Sequence, residues 1–135
     1  MQLLSLRFDS GEVRIVLRRS ATAKALLKVV PFTATMQTSR GSLMFDCPLT
    51  VRPEETNTTD LVQVGDIAFW SDASSIVIGF GPTTQSQGSE VRLAHPCAII
   101  GDALDDLDIL RSIPAGSRVT VSLASAERLP SASGE

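Results

Sequence analysis

His95 is the only histidine in the chain. Any proton transfer or imidazole ligation near neutral pH would fall to it. It stands beside Pro96, outside any Cys/His cluster, and its competing reading is a turn or rim residue. Arg40, Arg52 and Arg92 could each reach into a pocket; the plainer reading of each is a solvated surface arginine. Trp70, Phe80 and Met36 could line an apolar pocket with few polar groups, the usual character of a ligand site. Against that stands a simple core role. Phe69 and Trp70 are adjacent in an extended stretch, so they must face opposite sides of it. One of them therefore points away from the core, which favours Trp70 as a pocket residue.

Other chemistry is poorly supplied. Asp102, Asp105, Asp106 and Asp108 resemble a cation site in composition. They lack the alternating spacing and the glycine turn of a calcium loop. A helix N-terminus, where the dipole favours negative charge, accounts for them. Cys47 and Cys97 form no CxxC and read as small buried hydrophobes. No nucleophile elbow accompanies a Ser/His/Asp set. We expect no metal, no cofactor and no assigned catalytic residue. The net charge is −3, which argues against a nucleic-acid partner. No apolar run nears the roughly 20 residues of a membrane span, and residues 1–9 lack the apolar centre of a signal peptide. The expectation is a cytoplasmic protein without a membrane partner.

The elements that must position these residues centre on residues 64–83, V-G-D-I-A-F-W-S-D-A-S-S-I-V-I-G-F-G-P-T. Two β-rich runs flank a polar reversal, and Gly81-Pro82 stops the second because proline has no N–H for a ladder. Gly79 and Gly81 mark points where another part of the chain comes close. Upstream, residues 3–8 and 13–17 read as an antiparallel hairpin, and Ser20 caps a helix over 21–30 that ends at Pro31. Extended segments follow at 32–38 and 43–46, with a short edge strand at 49–52 between two prolines. Residues 54–60 and 83–89 read as polar loops. A strand over 97–100, a second helix over 103–112 and a last strand over 118–123 complete one domain, 1–124. Residues 125–135 read as a flexible tail. With about eight or nine short strands separated by turns, a mostly β, closed or nearly closed barrel is expected.

The chain resembles the small, stand-alone cyclophilin-like domains of bacteria and archaea, a group distinct from the true cyclophilin isomerases. The resemblance is carried by Ser10-Gly11, by the early helix ending in Pro31-Phe32, and by Pro48 with Val51. It is strongest in residues 64–70, V-G-D-I-A-F-W, and 80–83, F-G-P-T. It runs on through Ala98-Ile99-Ile100-Gly101, residues 104–110, Gly116 and residues 119–124. It implies a closed eight-stranded antiparallel barrel with two capping helices.

True cyclophilins hold an X-Pro peptide on the outer face of the barrel, beside an arginine in an F-H-R motif with a downstream M-x-Q-G. Here Phe32 is followed by Thr33 and Ala34, so alanine stands where the arginine would be. Met36-Gln37 echoes the downstream part only loosely, and Ile78-Gly79-Phe80 stands for the family's F-F-I wall. His95 lies about two residues early for the pocket histidine. Isomerase chemistry is therefore not carried over. The reading is a domain that binds a small molecule or short peptide beside the central hairpin, through Trp70, Phe80, Met36, His95, Arg92 and Arg40. The alternatives are a weak prolyl isomerase with an arginine from elsewhere, and a protein-interaction or homo-oligomeric module such as a homodimer.

Overall fold

The computed structural model describes residues 2–49 and 57–124. Its chain opens with β1 (Leu3–Phe8) and β2 (Gly11–Leu17), paired as a hairpin in which Leu6 faces Val13. Ser20 caps α1 (Ala21–Val29): its hydroxyl accepts from the Ala23 N–H at 3.1 Å, satisfying a first-turn donor. The helix stops at extended Val30, before Pro31, as the steric rule for pre-proline residues requires. Then come β3 (Phe32–Thr35), β4 (Gln37–Ser39) and β5 (Ser42–Asp46). After the undescribed 50–56 stretch follow β6 (Thr58–Val62), β7 (Asp66–Trp70) and β8 (Ser75–Gly79). The last strands are β9 (Val91–Ala103) and β10 (Arg118–Ala124).

The strands form one sheet in the order β3-β10-β1-β2-β9-β7-β8-β5-β4, with β6 paired to β9 off that path. Every described pairing is antiparallel. The two ends of this path, β3 and β4, are separated in sequence by Met36 alone. One stretch of chain thus pairs with β10 through its first half and with β5 through its second, which nearly closes the barrel. Met36 holds the bend: its N–H donates to the Ser117 carbonyl at 2.8 Å, and its carbonyl accepts from the Gly116 N–H at 2.9 Å.

Inward-facing residues from all around the barrel make the main core. Leu4, Leu6, Phe45, Phe69, Ile78, Ile100 and Val121 are buried in it, and Leu26 enters from α1. Each such side chain contributes about 1.5–3 kcal/mol on leaving water. A second, smaller cluster lies on the other face of β7, β8 and β9. There Ala68, Leu93 and Cys97 are buried, with Trp70 and Val77 packed against them. The parity rule holds at the centre of the molecule: Phe69 joins the main core and Trp70 the outer cluster. Gly79 lets the two layers meet, since a Cβ there would lie 2.6 Å from a methyl of Val91.

Several expectations are corrected. Among the described residues ten strands pair in one sheet, rather than the eight expected. The excess is the division of 32–39 at Met36 and the added strand β6, where a polar loop was expected. The β-branched threonines at 58 and 59 suit a strand, and they pair with Ala98 and Cys97. The expected second helix over 103–112 is present but shorter, a 3-10 helix over Leu107–Ser112. Residues 101–103 stay in the sheet because Gly101, Asp102 and Ala103 pair with β2. Asp106 then caps the short helix, accepting from the Asp108 N–H at 2.9 Å. The expected edge strand at 49–52 and the tail at 125–135 fall wholly or mainly outside the described residues. Among the described residues, no helix is long and apolar enough to cross a membrane.

Candidate functional site

A cleft of about 280 Å³ opens on the outer face of the sheet, above the second cluster. Its floor is Met44, Val77, Leu93 and Cys97, from three different strands. One wall is the β4–β5 turn, with Gln37, Ser39, Arg40 and Ser42. Thr83, Thr84 and Gln85 form the opposite rim. Trp70 and His95 complete the lining.

The aromatic pair gives the cleft its shape. The rings of Trp70 and His95 are stacked, with centroids 4.0 Å apart and planes 8° from parallel. Trp70 is half-buried at the end of β7, and His95 is exposed. His95 reaches the indole because β9 leaves its ladder with β6. Thr59 pairs with Cys97, but the next aligned pair is Leu61 with Arg92. Residues 93–96 thus stand opposite Asp60 alone and bulge toward the cleft. Pro96, without an N–H, sits where no ladder bond is asked of it.

Both walls are fixed by the backbone. The Gly41 carbonyl accepts from the N–H groups of Phe80 at 2.8 Å and Gly81 at 3.2 Å. Gly41 has φ +75°, and a Cβ there would meet the Gly81 carbonyl at 2.6 Å and the Pro82 carbonyl closer still. This clamp fixes the turn that carries Arg40. On the other rim, the Ser86 hydroxyl accepts from the N–H groups of Thr83 at 2.8 Å and Arg92 at 3.0 Å. The Thr83 hydroxyl donates to the Arg92 carbonyl.

Of the residues singled out in the sequence, Trp70, His95 and Arg40 come together at this cleft. Met36 and Phe80 do not join them. Met36 is 1% exposed in the main core, and Phe80 packs there too, under the Arg111 guanidinium at 5.6 Å. Arg111 also donates to the Phe80 carbonyl at 2.9 Å. Arg92 turns away into a double ion pair, 2.8 Å from Asp60 and 2.9 Å from Glu90. Arg52 lies outside the described residues. Sequence reasoning missed the hydroxyl and amide rim, Ser39, Ser42, Thr83, Thr84, Gln37 and Gln85, which had no distinguishing spacing.

Covalent chemistry is weakly equipped here. Burial pushes the Cys97 thiol up to about 11, and it donates to the His95 carbonyl at 3.3 Å. A neutral thiol is a poor nucleophile. Burial likewise pushes Cys47 up to about 12. Among the described residues, no group of three or more His, Cys, Asp or Glu is placed to hold a metal. Asp102 and Asp105 instead pair with Arg18 and Arg14.

A family model described as cyclophilin-like matches residues 2–122. The solution structure of the hypothetical protein AF2241 from Archaeoglobus fulgidus is similar, with 28% identity and a TM-score of 0.79. That likeness covers 91% of this chain and 95% of the archaeal one. The structure of McbB in complex with tryptophan shares the fold, at 19% identity and a TM-score of 0.65. It covers 88% of this chain but 44% of McbB. No functionally curated protein matches.

Proposed function

The chain belongs to the cyclophilin-like family, and from that premise we propose that it binds a small molecule or short peptide in the outer cleft, without prolyl isomerase chemistry. The observation that carries this reading is the Trp70–His95 stack facing a cleft of about 280 Å³. That volume is close to the lower end of ligand sites, about 300 Å³. An apolar floor with a rim of hydroxyls and amides fits the general makeup of such sites: burial supplies affinity and the polar rim supplies orientation. The absence of isomerase chemistry is supported by Ala34, which sits on β3 opposite Val119 where the family's arginine motif would run.

One observation keeps the isomerase as a second reading: Arg40 is the one arginine among the lining residues. An X-Pro peptide isomerisation assay, run beside Trp70 fluorescence, separates the two. A saturable change in Trp70 emission without rate acceleration is the expected result. Acceleration that disappears in Arg40→Ala would replace the proposal with the isomerase. No change in either signal, with the peptide and with the small acids described below, would leave a protein-interaction or homo-oligomeric module.

A further inference from the structure

We propose that the ligand of this cleft is an anion, a small planar carboxylate whose ring packs on the Trp70–His95 stack while its carboxylate meets Arg40. This deepens the preceding reading and rests on the cleft being a binding site.

Charge points to an anion. No aspartate or glutamate is among the lining residues, although the chain has 15 acidic residues and a net charge of −3. Arg40 is the only group of fixed charge there. Among the described residues Arg40, like Arg19 and Arg118, makes no ion pair, whereas Arg7, Arg14, Arg18, Arg92 and Arg111 each lie beside a carboxylate. Asp60 and Glu90, on the β6 and β9 side, are engaged by Arg92 and do not compete for Arg40. A guanidinium with no partner of its own is suited to a two-pronged carboxylate. The turn that carries it is fixed by Gly41, so its backbone is placed before a ligand arrives. A cationic ligand would meet only Arg40's repulsion, and a neutral one would leave the guanidinium to water.

The flat stack selects a ring, since aromatic faces attract one another beyond simple burial. The Ser42 hydroxyl at the cleft is a further donor suited to a carboxylate, whereas the Thr84 hydroxyl already donates to the Gln85 side-chain oxygen at 3.1 Å. A carboxylate of this kind has two sources, a free aromatic acid or the C-terminus of a peptide ending in an aromatic residue.

The test is calorimetric titration with two matched pairs: cinnamate against cinnamamide, and N-acetylphenylalanine against its amide. Each is run on the wild-type chain, on Arg40→Gln and on Arg118→Gln, a surface cation of a separate polar groove. At least one acid should bind about five- to tenfold more tightly than its amide, with an advantage that shrinks in salt. Arg40→Gln should erase that advantage while leaving the amide's affinity unchanged, and Arg118→Gln should change neither. Which acid shows the advantage identifies the source. Equal affinities of acid and amide, or an equal loss for both in Arg40→Gln, overturn the anion inference but leave a binding cleft. Binding of an X-Pro peptide, with neither acid bound, does the same. If none of these probes binds, the cleft reading fails and this inference fails with it.

Discussion

The His95 imidazole lies 4.0 Å from the Trp70 indole and 8° from parallel to it. The two residues belong to neighbouring strands, β9 and β7, but they are not ladder partners. Ala98, not His95, pairs with Phe69. The bulge at residues 93–96 carries the histidine back over the outer face to reach the ring. The stack is thus a product of the bulge, and it covers one face of the chain's only tryptophan.

Removing the cover should be visible directly. In His95→Ala the Trp70 emission should move to longer wavelength as water reaches the ring. Stability should fall by about 0.5 kcal/mol, the low end for an aromatic pair, because His95 is exposed. Steady-state fluorescence and urea unfolding report both. An unchanged spectrum would mean that the stack does not persist in solution.

Two glycines with positive φ should respond very differently to alanine. Gly41→Ala faces two carbonyls as well as left-handed strain, and should lose more than about 2 kcal/mol. Gly88 has φ +62°, and a Cβ there would meet nothing within 4 Å, so Gly88→Ala should lose only about 1 kcal/mol. Chemical denaturation of the two variants side by side separates backbone collision from strain alone.

Acid should find the Arg14–Asp105 pair. The Arg14 guanidinium, 2.7 Å from Asp105, holds that carboxyl below its ordinary value of 3.8. The folded value is the lower one, so the stabilisation is complete above the ordinary aspartate range and is lost as pH falls through the folded value. Asp105→Asn should therefore be less stable by about 1–2 kcal/mol near neutral pH. The gap to wild type should shrink as pH falls below the ordinary aspartate value of 3.8. Urea midpoints at neutral, mildly acidic and strongly acidic pH check the sign. A gap that widens in acid would contradict it.

The thiols should be quiet in the folded protein. With Cys97 pushed up to about 11 and Cys47 to about 12, only about one thiol in ten thousand or fewer is ionised at neutral pH. A disulfide reagent should label both at once in denaturant and far more slowly in the native state. Fast native labelling of Cys97 would show that the cleft floor opens to solvent.

Much of this molecule could be read from residue order, and the exceptions have physical causes. The central hairpin, the first hairpin and α1 follow from local rules: strand parity, a serine cap and a helix-stopping proline. The split of Phe69 and Trp70 between two clusters needed nothing beyond parity. The second helix starts later than its pattern suggests because Leu104, Leu107 and Leu110 share helical spacing while 101–103 answer to a distant partner, β2. A β strand at 58–62 was hidden by its polarity, since its pairing with β9 decides its state. The site was only half visible. Trp70, His95 and Arg40 could be named from their types, but Arg92 looked equivalent to Arg40 until Asp60 and Glu90 were seen beside it. Met36 and Phe80 have the right chemistry for a pocket, and only the sheet order places them in the interior.

The position of β10 in the sheet has a consequence for how the chain is made. It is the final described strand in sequence, yet it lies between β1 and β3, near the beginning of the chain. Leu3 and Ala124 are direct partners. Until residues 118–124 have left the ribosome, β1 and β3 each keep a row of unpaired backbone groups, and Val119 and Val121 are missing from the core. The barrel can therefore close only once that late segment is available to pair with both.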